Sequence, residues 1–138
     1  MVDDECLLTG EEFGTLVGQS SIRAENTEIA GDATRRSCFY AREDADEPAG
    51  RIDVYAPASG APADLVARIA ANSAGARTLV GVGAGAVVLA GQSGSTEFVV
   101  ASAGLLAVLT VLPGGASVAP TDDAWTAAGT SMAGRLPS

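Results

Sequence analysis

Several short stretches of the chain carry residue types that do chemistry in other proteins. Gly81-Val82-Gly83-Ala84-Gly85-Ala86 matches the loose dinucleotide pattern G-x-G-x-x-A, following the strand-like Arg77–Val80. That chemistry needs a helix to start at the loop, so that its N-terminus meets a pyrophosphate. The next residues, Val87-Val88-Leu89-Ala90-Gly91, are few and rich in β-branched types, so the spacing predicts a turn into a buried strand. Glu43, Asp44, Asp46 and Glu47 offer hard oxygen ligands, but they lack the spacing of a calcium loop and read as a solvated hairpin tip. Arg35-Arg36 could hold an anion or cover a sheet edge. Trp125 could stack on a sugar or fill a core. Nothing in these patterns calls for a cofactor or a metal.

Two cysteines, Cys6 and Cys38, are too few to hold a metal by themselves. They stand either as buried thiols of a cytosolic protein or as a pair in an exported one. Histidine is absent, which removes Ser-His-Asp and Cys-His catalysis, His-ligated zinc and an imidazole base. A small hydrolase working through Ser or Asp without His is the remaining enzymatic class. The net charge of −9 argues against nucleic acid, whose phosphates attract basic surfaces. All eight basic residues are arginine, a compositional bias before it is chemistry.

The elements that must position these residues are organised around Ala86–Leu112, in which Glu97 is the only charge. The run is interrupted at Gly91–Gly94 and Ala103-Gly104 and stopped by Pro113-Gly114-Gly115. It is therefore broken before the ~20 apolar residues that a membrane span requires. Its Val and Phe content predicts three antiparallel strands, Ala86–Ala90, Thr96–Ser102 and Leu105–Leu112. The last is apolar on both faces. Such a strand is either covered on both sides or uses one face for a partner. Leu106, Val108 and Leu112 share one face and are the expected contact surface for a ligand or partner.

Ahead of this block, Thr9-Gly10-Glu11-Glu12 forms a capping-box pattern for a helix with Phe13, Leu16 and Val17 on its stripe and Gly18 at its end. Ile22–Ile29 and Arg35–Arg42 read as strands. Arg51–Ala56 is a third, with Ile52, Val54 and Ala56 facing in and Arg51, Asp53 and Tyr55 facing out. A second helix starts near Pro62 and runs to about Ser73, and a third starts at Thr121 with Trp125, Ala128, Met132 and Leu136 on its buried stripe. The expected fold is thus α+β, an antiparallel sheet of about six strands with three helices in the order α-βββ-α-βββ-α, an internal pseudo-repeat closed by a helix. Residues 1–138 make one domain, with the acidic residues 1–5 as a disordered lead.

Cys6-Leu7-Leu8-Thr9, Glu12, the helix end at Gly18, Cys38-Phe39-Tyr40 and the Val80-Gly81-Val82-Gly83 connector together resemble an uncharacterised family of actinobacterial cell-envelope lipoprotein domains. The resemblance spans nearly the whole chain. It implies export, a Cys6–Cys38 disulfide and a lipid anchor on a cysteine upstream of Met1. It brings no catalytic residues. Met1 is followed directly by Val-Asp-Asp-Glu, so the chain reads either as cytosolic or as starting after an export segment, and Cys6 lacks the apolar, small-residue run of a lipidation site. Related folds occur as extracellular sensor domains of membrane kinases, which makes a sensor or regulatory module the second functional class. The leading expectation is a non-enzymatic extracytoplasmic domain whose sheet face binds an envelope protein or a lipid-like, apolar or amphiphilic ligand. Nucleic acid is not expected as a partner, the membrane is met only through the anchor, and a homodimer is an allowed assembly.

Overall fold

Thr9 starts the first helix as its spacing predicts. Its hydroxyl accepts from the Glu12 N–H at 3.1 Å, and Glu12 Oε1 accepts from the Thr9 N–H at 2.8 Å. The computed structural model describes residues 5–29, 32–44, 47–91 and 94–136, with the backbone alone for 28, 29 and 32–36. Helix α1 covers Gly10–Val17 and buries Phe13, Leu16 and Val17. Gly18 closes it at φ 73°, a left-handed conformation that a side chain would strain. Helix α2, Pro62–Asn72, opens with Pro62 in its first turn. Helix α3, Asp122–Arg135, is capped by the Thr121 hydroxyl, which accepts from the Ala124 N–H at 3.1 Å.

Among the described residues seven strands pair into one antiparallel sheet. They are β1 (Ile22–Ile29), β2 (Asp32–Arg42), β3 (Gly50–Tyr55), β4 (Arg77–Leu79), β5 (Gly85–Ala90), β6 (Thr96–Ala101) and β7 (Leu106–Val111). Their spatial order is β1-β2-β3-β7-β6-β5-β4. The α+β class with three helices is as expected, with one strand more than the six foreseen. The extra strand is β4, three residues long, and it runs antiparallel to β5, as a dinucleotide fold could not. Two meanders, β1-β2-β3 and β4-β5-β6-β7, lie side by side and join where β3 pairs with β7. The pseudo-repeat is thus a three-stranded unit beside a four-stranded one. The apolar triplet supplies one half of the sheet, with its last strand in the middle position. Strand β3 ends at Tyr55 and Ala56 is exposed; Pro57, which has no N–H to donate, cannot continue the ladder. Among the described residues no helix is long and apolar enough to cross a membrane.

The larger core lies between one sheet face and helices α1 and α3, with Tyr40, Ile52, Phe98, Leu109, Trp125 and Met132 at its centre. Trp125 is 1% exposed and packs on Phe98 at a ring separation of 5.0 Å, so it fills the core rather than offering a sugar platform. Phe13 stacks on Tyr40 at 4.5 Å. The N-terminal segment is fixed to this side: Cys6 and Cys38 form a disulfide, and the buried Glu5 donates its N–H to Asn26. The fold therefore includes Glu5, which was expected in the lead; residues 1–4 lie outside the described ones. A smaller core lies on the opposite face, where α2 sets Val66 against Val87, Val99, Ala101 and Leu106.

Candidate ligand-binding face of the sheet

The two faces are covered unequally. Helices α1 and α3 pack on one face, whereas α2 alone lies on the other, over β5 and β6. The cover ends along β7. Leu106 is 2% exposed beneath α2, while Val108 and Thr110, further along the same strand, are only partly buried. Pairing in register sets three rows on this face: Arg51, Thr110 and Glu97; Asp53, Val108 and Val99; and Tyr55, Leu106 and Ala101. The alternation of β3 that buries Ile52 and Val54 in the larger core turns Arg51, Asp53 and Tyr55 onto this face.

Beyond the edge of α2 these rows line an open basin of about 530 Å³, formed by Arg51, Asp53, Tyr55, Ser95, Glu97, Val108 and Thr110. A separate polar hollow of about 480 Å³ lies beside Gln19 and Arg42. Asp53 is fixed from two sides, since Ser37 donates its hydroxyl to Oδ1 and Arg51 Nε lies 3.1 Å from Oδ2. Ser37 is 1% exposed and neighbours Cys38, so the disulfide pins β2 from the helical side where Ser37 holds Asp53 on the other. Burial pushes the Tyr55 phenol above its usual range, and the charges of Asp53 and Glu97 push it in the same direction. The hydroxyl therefore stays protonated and able to donate at neutral pH. Glu97 is half-buried, and among the described residues no arginine pairs with it.

The expected contact residues do not form one patch. Leu106 is closed off by α2 and serves the smaller core. Val108 forms part of the basin lining. Leu112 lies beyond β7 and lines a separate hollow with Pro113, Pro120 and Trp125. Cys6 and Cys38 belong to the opposite face. Sequence patterning assigns Arg51, Asp53 and Tyr55 no role beyond facing out. The visible signal is Glu97, the single charge in the apolar run.

Comparison with family models, curated proteins and solved structures finds no match. Among the described residues the remaining chemical candidates do not form sites. Gly81–Gly85 turns into strand β5, with no helix to receive a phosphate. Among the described residues no group of three or more acidic or thiol side chains is arranged for a metal, and Asp46 lies outside them. The Arg35 and Arg36 side chains also lie outside them.

Proposed function

We propose that this chain is a non-enzymatic binding domain of the extracytoplasmic envelope, anchored as a lipoprotein of the actinobacterial kind. Its function is to hold an amphiphilic ligand on the uncovered half of the α2 face. The observation that carries the proposal is the uneven helical cover, which leaves Tyr55 and Val108 beside hydrogen-bonding and charged groups in a hollow of about 530 Å³. That volume lies within the ~300–1,000 Å³ of small-molecule sites. An aromatic ring and a valine supply apolar contact, while Arg51, Ser95, Glu97 and Thr110 supply polar ends. The Cys6–Cys38 disulfide supports an oxidising compartment.

Titration of isotope-labelled protein with 1-hexanol, hexanoate and hexylammonium, followed by amide shifts, tests the reading. Saturable changes confined to β3, β6 and the Val108–Thr110 end of β7 are expected for at least one probe. If none of the three produces them, the amphiphile site is refuted. Changes centred on α1 and α3 would instead place binding at their shared apolar groove, lined by Leu8, Leu16, Ala124 and Ala128.

A further inference from the structure

The basin has a chemical preference that the proposed function leaves open. Four arginines are each matched to a carboxylate: Arg42 to Asp44, Arg51 to Asp53, Arg77 to Asp122 and Arg135 to Glu12. Arg51, the only cation lining the basin among the described residues, is thereby neutralised by Asp53, which also lines it. Among the described residues of the basin, Glu97 remains as the charge without an arginine partner. It is half-buried, opposite Thr110 in the register, with no arginine partner among the described residues.

A carboxylate in the wall of a hollow, with no cation beside it, attracts a positively charged ligand. The concave wall focuses the field that such a ligand meets. Burial first, and then the charges of Asp53 and Glu97, hold the Tyr55 phenol above its usual range. Tyr55, 46% exposed, thus offers a ring face within the same negative field, suited to a cation–π contact.

Resting on the reading of this basin as an amphiphile site, we infer that its ligand is an organic cation. Glu97 is the counter-ion of an ammonium or guanidinium head, the Tyr55 ring lies against that head, and Val108 meets the alkyl portion. The wider surface is matched to such a ligand too, since the chain carries 17 acidic against 8 basic residues.

The three probes of equal chain length separate this inference from the function on which it rests. Hexylammonium is expected to bind about tenfold more tightly than 1-hexanol, and hexanoate most weakly. Glu97→Gln is expected to abolish that tenfold preference of hexylammonium over 1-hexanol. Asp64→Asn, which removes the same charge from the exposed surface of α2, is expected to leave it intact. Tyr55→Phe keeps the ring and holds hexylammonium affinity within about twofold, whereas Tyr55→Ala loses about three- to fivefold. Hexanol binding as tightly as hexylammonium, at the same amides, overturns the cation inference and leaves the amphiphile site standing. Equal losses of preference in Glu97→Gln and Asp64→Asn also overturn it, because net charge and not Glu97 would then be the cause. Absence of binding by all three probes overturns both.

Discussion

The Tyr40 hydroxyl satisfies both backbone groups of Leu8, donating to its carbonyl oxygen at 2.7 Å and accepting from its N–H at 3.2 Å. Both bonds are buried, and Leu8 and Tyr40 are each fully inaccessible. Removing one oxygen leaves a buried donor and a buried acceptor unsatisfied together. Tyr40→Phe is therefore expected to cost about 1–3 kcal/mol, measured as a lowered urea midpoint with unchanged slope.

A second tie joins the two ends of the chain. Arg135, in the last turn of α3, donates to both Glu12 carboxylate oxygens and, at 2.8 Å, to the Leu7 carbonyl. The guanidinium bond, assisted by the Thr9 backbone bond, holds the Glu12 carboxyl at about 2, against an ordinary 4.5. A depressed folded-state value stabilises the native protein above the unfolded value and loses that contribution as pH falls. Stability is thus expected to decline between about pH 4.5 and 2. Arg135→Ala should flatten that decline and cost ~1 kcal/mol at neutral pH, a modest figure because both side chains are partly solvated. Chemical denaturation at a series of pH values checks both.

The disulfide closes a separation of 32 residues. On the chain-entropy account its reduction is expected to cost about 3–4 kcal/mol. Calorimetry with and without reductant should show a fall in Tm of about 10 °C or more. An unchanged Tm with both thiols shown to be free would refute this.

Glycine at an α-helical position usually costs about 1 kcal/mol relative to alanine, but Gly129 of α3 should behave in the opposite way. A Cβ there would lie 2.6 Å from Val82 Cγ1 and 2.7 Å from Phe98 Cζ. Gly129→Ala is expected to destabilise by about 1–3 kcal/mol through overpacking. Pairing it with Val82→Ala should recover part of the loss.

Much of this architecture was legible because local signals agreed with burial. Thr9 with Glu12, Gly18, Pro62 and Thr121 marked helix ends, and the Ile52/Val54 alternation marked the inward face of β3. Pairing across distance was not legible. That Gly50–Tyr55 lies beside Leu106–Val111 depends on how the two meanders meet, and neither stretch carries a residue that names the other. The basin was hidden for the same reason, since Tyr55 and Glu97 are far apart in the chain and come to line one hollow only because β7 lies between their strands. Two-sided apolarity on β7 did not single out the contact residues, because it has two causes. At Leu106 the cause is the α2 cover, and at Val108 it is the edge of that cover.

The junction of β3 with β7 divides the molecule along a line that the chain crosses through residues 56–61. A backbone cut there would yield one piece carrying α1, the first meander and the whole Cys6–Cys38 loop, and another carrying α2, the second meander and α3. Each would present a bare strand shaped to receive the other. Co-expressed halves should reassociate without a covalent link, and the proposed ligand basin, built from both, would serve as the reporter of their reunion.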